Sequence, residues 1–311
     1  MSCSPSPISQ RVLVTGAGGF LGRHVVLALA RAGHQVSAVD IRKMDFCAET
    51  PGVSATVIED GDVSALRDAV VRSSAICHLA ALVPRNMQDA SMAAECFHTN
   101  ALFSLRLAEL AAECQVRRFV YCSSGQIYRY SETPVTEDAP VYPAARATYY
   151  LASKLVGELY IEHLRLTAGL PAVTLRLGNL YGPGAGDSSV VARFMAAAAQ
   201  GHPLEVWDNG APTYDLVYAP DIAKLIVAVV VRSEPGIYNA GSGQACSVMD
   251  LALAVADAFP DRRTEIIVKP PAGPMPASFS VLSIAKAARM WQYAPTPLSE
   301  ALRLYRQYME G

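Results

Sequence analysis

The sequence predicts an α/β fold, a doubly wound parallel sheet with a smaller carboxyl-terminal α/β lobe that holds substrate. Three observations lead there. Short apolar runs alternate with stretches of helical periodicity from Arg11 to Leu177, and those stretches supply the dozen or so residues that a parallel crossover needs. Gly16, Asp40, Asp62, Ala80-Ala81, Ser123-Ser124 and Asn179 each fall at the carboxyl end of a predicted strand, the edge where such sheets bind ligands. Beyond Asn179 the alternation loosens, which divides the chain into a sheet domain over 1–178 and a lobe over 179–311.

The first unit runs from Arg11 to Asp40. Val12-Leu13-Val14 reads as a strand buried on both faces, and it enters a turn holding Gly16, Gly18, Gly19 and Gly22. Without Cβ atoms that turn lets a pyrophosphate lie against backbone N–H groups and the positive end of the next helix. Phe20, Leu21, Val25, Leu27, Leu29 and Ala30 recur at helical spacing as far as Ala32, and Gly33 stops the helix. The second strand, Gln35–Val39, ends in Asp40, 18 residues beyond Gly22. A carboxylate about 20 residues past such a turn accepts hydrogen bonds from an adenosine ribose, so the unit is Rossmann-type and its cofactor is expected to be NAD. Asp40 repels the 2′-phosphate of NADP, a preference that Arg42 and Lys43 weaken.

Later elements follow the same pattern. Ala55–Ile58 is the third strand, Ser64–Val71 a short helix, Ala75–Leu79 the fourth strand, Ala93–Ala112 a long helix and Arg118–Cys122 the fifth strand. After the Pro-rich loop Thr133–Pro143 comes a helix over Tyr149–Leu166, and Ala172–Leu177 completes six strands. In the lobe, Tyr181–Gly184 is a turn, Ser189–Gln200 a helix, Leu204–Trp207 a strand, Asp221–Arg232 a helix and Gly236–Asn239 a strand. Ser247-x-x-Asp250 has capping-box spacing for a helix to Phe259, and Ser299 is expected to cap the last helix.

Composition removes several function classes. A net charge of −2 with scattered Lys and Arg gives no basic field for nucleic acid. The apolar run Leu225–Val231 ends at Arg232, far short of a membrane span, and MSCSPSPISQ reads as a frayed tail without signal-peptide character. Seven cysteines (Cys3, Cys47, Cys77, Cys96, Cys114, Cys122 and Cys246), with no Cys-x-x-Cys pair, read as buried thiols in a reducing cytoplasm. His78 lacks neighbours with ligand spacing, so it reads as a packed histidine and no metal site is identified.

Tyr150 and Lys154 form the chemical candidate. At i and i+4 they share a helix face, so the ammonium is expected to approach the phenol, favour phenolate and lower a pKa that starts near 10. Such a base takes a proton from a substrate hydroxyl while hydride leaves the same carbon for nicotinamide, with Ser124 holding the hydroxyl.

These motifs resemble the extended short-chain dehydrogenase/reductase superfamily, specifically its NAD-dependent epimerase/dehydratase branch, along nearly the whole chain. Thr15-Gly16-Ala17-Gly18-Gly19-Phe20-Leu21-Gly22 resembles the branch's Thr-Gly-x-x-Gly-Phe-Ile/Leu-Gly. Gly61-Asp62, His78-Leu79-Ala80-Ala81 and Asn100 fit its further cofactor-side motifs, and Tyr150-Leu-Ala-Ser-Lys154 its Tyr-x-x-Ser-Lys signature. Leu175-Arg-Leu-Gly-Asn179-Leu-Tyr-Gly-Pro183 resembles its arginine- and asparagine-containing strand end. The resemblance implies Ser124, Tyr150 and Lys154 as catalytic residues. It implies Gly16, Gly19, Phe20, Leu21, Gly22, Asp40, Arg42, Asp62, Val63, Leu79, Ala80, Ala81 and Asn100, with Tyr150 and Lys154, at the cofactor. Ser124, Gln126, Asn179, Arg193 and Tyr214 are the substrate candidates. Tyr149, out of register, is expected to pack, and a homodimer through Ala93–Ala112 and Tyr149–Leu166 is expected.

Departures from the branch narrow the chemistry. Its dehydratases carry Thr-Asp-Glu where this chain has Ser124-Gly125-Gln126, so no acid is present to expel water. Its sugar-nucleotide enzymes carry an arginine that clamps a diphosphate where this chain has Tyr214 in Thr213-Tyr214-Asp215, and Tyr214 cannot replace a bidentate guanidinium. A second arginine is missing from Gly273-Pro274-Met275-Pro276; Arg193 and Lys269 are the remaining cations. Two readings stay open: an NAD-dependent epimerase of a secondary alcohol on a sugar or sugar nucleotide, and an NAD(P)-dependent dehydrogenase or ketoreductase on a substrate without a nucleotide diphosphate. A non-catalytic NAD-binding protein is disfavoured because Ser124, Tyr150 and Lys154 are all intact.

Overall fold

A computed structural model describes residues 9–59, 61–87, 89–142, 148–186, 189–232, 234–271, 273 and 278–311. The amino-terminal tail with Cys3, the end of the Pro-rich loop at Pro143, and Pro274-Met275-Pro276 lie outside them. The chain divides into two compact units: Met1–Ser123, Thr148–Leu175 and Ala223–Ile237 form the first, and Ser124–Ala147, Arg176–Ile222 and Tyr238–Gly311 the second.

The first unit begins with β1 (Arg11–Thr15), α1 (Phe20–Arg31), β2 (Gln35–Asp40), β3 (Val53–Val57), α2 (Arg67–Val71) and β4 (Ala75–His78). Then come α3 (Ala93–Cys96), which continues through a π turn over Phe97–Leu102 into α4 (Phe103–Glu113), followed by β5 (Phe119–Ser124), α5 (Tyr149–Thr167) and β6 (Ala172–Leu177). With β11 (Gly236–Ala240) they make a seven-stranded parallel sheet in the order β11-β6-β5-β4-β1-β2-β3. The strand Gly236–Asn239, which the sequence assigns to the lobe, is therefore the seventh strand of the main sheet. A five-residue apolar run carries no mark of which sheet it joins.

That order positions the site. From β1 the chain moves outward to β2 and β3, then crosses back to β4 and β5, so the direction of winding reverses between β1 and β4. Loops leaving the carboxyl ends of those two strands diverge and open a crevice. β4, β5 and β6 are buried at every position, as strands covered on both faces must be, and Leu13, Ile76, Leu107, Phe119, Tyr121 and Ile161 belong to the unit's core.

The second unit holds shorter elements: β7 (Asn179–Tyr181), α6 (Val190–Ala199), β8 (Leu204–Val206), β9 (Thr213–Tyr214), β10 (Leu216–Tyr218) and the start of α7 (Ala219–Val231). β12 (Cys246–Ser247), α8 (Val248–Ala258), β13 (Ile266–Val268), α9 (Ala285–Trp291) and α10 (Leu298–Glu310) follow. The strands pair as β10-β7, β12-β9 and β13-β8, and Phe194, Leu204, Leu251, Val255, Leu302 and Tyr305 pack in the unit's core. Ser247 and Asp250 form the expected capping box. Ser299 is not the cap of α10; Pro297 occupies that position, with its fixed φ preceding the helix.

Candidate active site

At the crevice of the first unit the glycine turn is held by close backbone approach. Gly16 has φ of +71°, and a Cβ there would lie 2.5 Å from the Ala80 nitrogen. A Cβ on Gly22 would strike the Gly16 carbonyl, so α1 leaves the turn only because position 22 is bare. Ala17 N–H donates to the Val39 carbonyl at 3.1 Å, tying the turn to β2.

Asp40 sits at the end of β2 and is 6% exposed. Its Oδ2 accepts from Gly18 N–H at 2.9 Å, and its Oδ1 accepts from the Arg42 backbone N–H and Nε, both at 3.0 Å. The cavity beside it, of about 470 Å³, is lined by Thr15, Gly16, Gly19, Phe20, Asp40, Arg42, Ile58, Leu79, Ala80, Ala81, Thr99 and Phe103, among others. Eight sequence candidates (Gly16, Gly19, Phe20, Asp40, Arg42, Leu79, Ala80 and Ala81) thus share one wall. Leu21 and Gly22 are buried in the first turn of α1. Asp62 instead caps the turn before α2, accepting from Ser64 Oγ at 2.5 Å and Ala65 N–H at 3.1 Å, and Val63 packs against the core.

The donor set fits a dinucleotide. α1 opens at Gly19 with no side-chain cap, which leaves its first N–H groups for an anionic ligand. At the carboxyl end of β5, Ser123 Oγ is buried with no hydrogen-bond partner among the described residues, the state of a hydroxyl whose partner is a ligand.

Tyr150 and Lys154 lie one turn apart on α5, whose first turn is capped by Thr148 Oγ1 accepting from Leu151 N–H at 3.2 Å. Their electrostatics differ from the sequence expectation. Burial, with the Cys122 and Cys96 thiols adding repulsion, pushes the Tyr150 phenol up to about 12 instead of down. Burial also pulls Lys154 down to about 8, against the opposing pull of Cys122 and Glu158, while its Nζ rests 4.2 Å from the centroid of the Tyr121 ring. Loss of hydration sets the phenol's acidity, and Lys154 is not among the groups that shift it. Tyr149 does not pack; it is 46% exposed.

A buried polar chain joins the glycine turn to this helix. Thr15 Oγ1 bonds His78 Nδ1 at 2.7 Å, His78 Nε2 bonds Ser104 Oγ at 2.8 Å, and Ser104 donates to the Asn100 carbonyl at 2.7 Å. Asn100, fully buried in the π turn, donates to the Leu82 carbonyl and to Ser153 Oγ and accepts from Leu82 N–H at 2.7 Å. Ser153 in turn donates to the Tyr150 carbonyl at 2.8 Å. Asn100 therefore braces the cavity wall at Leu82 and the start of α5. His78 is packed, as its surroundings in the sequence suggest.

In the second unit, Ser124 is 7% exposed and caps a short turn, its Oγ accepting from Gln126 N–H at 3.2 Å. Asn179 N–H donates to the Asp215 carbonyl at 2.7 Å. Tyr214 stacks on Phe279 at 5.1 Å, Arg193 is exposed on α6, and Lys269 lies 3.7 Å from Glu205. A buried cluster went unread in the sequence: Arg176 donates to Tyr128 Oη at 2.7 Å, Tyr128 donates to Asn239 at 2.8 Å, and Asn239 N–H donates to Glu137 at 2.9 Å. Only Arg176 carried a signal, as the arginine of the strand-six motif. The cavity residues Ile58, Thr99 and Phe103 were also unread, because apolar and small side chains carry no chemical mark. Among the described residues no group of three His, Cys, Asp or Glu is placed to hold a metal, and no helix is long and apolar enough to cross a membrane.

A model of the NAD dependent epimerase/dehydratase family matches residues 12–241. The UDP-glucose 4-epimerase of Mycolicibacterium smegmatis is 32% identical over 266 residues, covering 80% of this chain and 82% of that protein. The dTDP-D-glucose 4,6-dehydratase of Mus musculus is 25% identical over 274 residues, 84% of this chain and 76% of that one. Among solved structures, the UDP-glucose 4-epimerase of Thermus thermophilus, in complex with NAD, matches at a TM-score of 0.82 and 29% identity over 97% of this chain and 99% of that one.

Proposed function

The chain belongs to the NAD dependent epimerase/dehydratase family, and on that premise we propose that it is an epimerase which oxidises and re-reduces a secondary alcohol, of the C4 type, on a sugar or sugar nucleotide. The observation that carries the reading is the pairing, in one unit, of the dinucleotide cavity with Tyr150 and a buried Lys154 on α5. The likeness to UDP-glucose 4-epimerases supports the position of the alcohol.

Gly16, Gly19, Phe20 and the opening of α1 hold the pyrophosphate of NAD, and Asp40 and Arg42 meet its adenosine ribose. NAD supplies a hydride acceptor, and its oxidised ring supplies a positive charge. Tyr150 carries the proton: as phenol, the state favoured at about 12, it donates to a ketone oxygen, and as phenolate it removes the alcohol proton. Lys154 supplies the fixed cation that favours the phenolate. Ser124 and Asn179 orient the substrate, with Gln126 in the place of the dehydratases' acid. The cofactor contacts lie mostly before residue 178 and the substrate contacts mostly after it.

The test is incubation of the protein with UDP-glucose or UDP-galactose, followed by proton NMR of the anomeric region. Interconversion without net change in the reduced-nicotinamide absorbance is expected, and Tyr150→Phe should slow it by about 10²- to 10⁴-fold while NAD stays bound. Stoichiometric reduction of added NAD or NADP would favour instead the dehydrogenase or ketoreductase reading. That second reading draws on Tyr214, which stacks on Phe279 where a diphosphate-clamping arginine would stand.

We place the enzyme in the cytoplasm, where the five buried thiols Cys47, Cys77, Cys96, Cys122 and Cys246 stay reduced. The protein is a homodimer through α4 and α5 in this reading, since Leu159 and Leu166 are 59% and 67% exposed on α5. Light scattering should return twice the chain mass; a monomer at micromolar concentration refutes it.

A further inference from the structure

Lys154 is 2% exposed, so its charge has almost no water to support it. A buried ammonium persists only where something replaces its hydration. In the first unit the replacement beneath Nζ is an aromatic face, since the Tyr121 centroid lies 4.2 Å away. We propose that Tyr121 is the positioning residue for Lys154: the face of its ring keeps the ammonium charged and fixes where it points. This rests on the role given to Lys154 under the proposed function.

Three features hold the ring as a platform. Tyr121 is fully buried and stacks on His78 at 5.7 Å with an interplanar angle of 29°. Its hydroxyl donates to the Lys154 carbonyl at 3.3 Å, so one residue contacts both the backbone and the head group of the lysine. That hydroxyl occupies space left by Gly157, where a Cβ would come within 2.6 Å of it. The space for it comes from a glycine in the middle of α5, a residue that weakens a helix relative to alanine.

The other groups around the ammonium do not replace the ring. Cys122, next on β5, and Glu158, one turn further along α5, favour the charge, yet burial still brings Lys154 to about 8. Tyr150, one turn earlier, is pushed up to about 12 and Tyr121 well above the ordinary phenol value, so both are neutral at physiological pH. His78 on β4 is driven down to about 3 by burial and by Lys154 itself, and it too is neutral. An attraction between a desolvated cation and a ring face is large enough to move the lysine by about one pH unit or more.

The test is a pH titration of Lys154 by NMR in protein carrying isotope-labelled lysine, with Lys154→Arg identifying the signal. Tyr121→Phe keeps the ring face and should leave the midpoint within a few tenths of a unit. Replacing that phenylalanine with mono-, di- and trifluorinated analogues keeps its shape while draining the ring quadrupole, and the midpoint should fall stepwise by about one unit in total. A flat fluorination series overturns the proposal, as does a Tyr121→Phe shift as large as that of the trifluorinated ring. Because the titration needs no turnover, it stands apart from failure of the epimerase assay. If both readings hold, the alkaline limb of the epimerase pH profile moves down with the titration while KM for substrate stays unchanged.

Discussion

In the proposed function, Asp40 and Arg42 are the pair of side chains that set the choice between NAD and NADP. The carboxylate already accepts from Gly18 N–H, from the Arg42 backbone and from the Arg42 guanidinium, whose Nη2 adds a longer contact at 3.4 Å. Its charge therefore faces a bound ribose partly neutralised, and the arginine side chain, 61% exposed, stands in the same cavity. A 2′-phosphate meets both the repulsion of Asp40 and the attraction of Arg42. Arg42→Ala leaves the repulsion alone, so the ratio of NADP to NAD dissociation constants, measured by calorimetry, should rise by about tenfold, the effect of roughly 1.4 kcal/mol. An unchanged ratio would show that Arg42 plays no part in the choice between the two cofactors. Residues of this kind were legible in the sequence because strand, turn, helix and strand are contiguous, and spacing alone brings Gly16 to Asp40. The seat of Lys154 on Tyr121 was not legible, since 33 residues separate the partners and nothing in a helical i, i+4 pair names a ring on another element.

At the scale of elements, the sequence marks a helix over Ala93–Ala112 but does not mark its interruption. The π turn over Phe97–Leu102 adds one residue to a helical turn and leaves the apolar spacing nearly unchanged. Its product is visible only in three dimensions: Asn100 is turned inward, grips both polar groups of the Leu82 peptide and reaches Ser153 on α5. These bonds across two segments make Asn100 a brace between the cavity wall and α5. The short strands of the second unit escaped for another reason. β9 and β12 have two residues each, too few for a period-two pattern, and their pairing of Tyr214 with Cys246 depends on a turn far along the chain. The capping box at Ser247 was legible because both partners sit within one helical turn.

For the molecule as a whole, the buried titratable groups determine how stability responds to pH. His78 titrates near 3 in the folded chain and near 6.5 when unfolded, because burial and the Lys154 charge oppose its protonation. Between those values the unfolded chain binds more protons, so this contribution is fully present above about pH 6.5 and is lost as pH falls toward 3. Lys154 acts in a separate window: its folded value near 8 lies below the unfolded 10.5, so stability gains as pH rises through that interval. Tyr150, raised to about 12 from 10, opposes that gain above pH 10, and the buried thiols oppose it earlier: Cys122 and Cys246 are raised to about 12 and about 11 from 9, and Cys77 further still, so each withdraws stability as pH rises past 9. The expected profile falls on the acid side, rises past pH 8 and turns over near pH 9. His78→Asn keeps polar partners for Thr15 and Ser104 but cannot titrate. Its thermal melts should therefore lose less stability than wild type on acidification from pH 6.5 to 4, by up to about 3 kcal/mol from the part of the shift inside that window. Equal acid limbs in the two proteins would mean that carboxylates alone drive acid unfolding, and that the histidine joining the glycine turn to Ser104 binds its proton as readily in the folded chain as in the unfolded one.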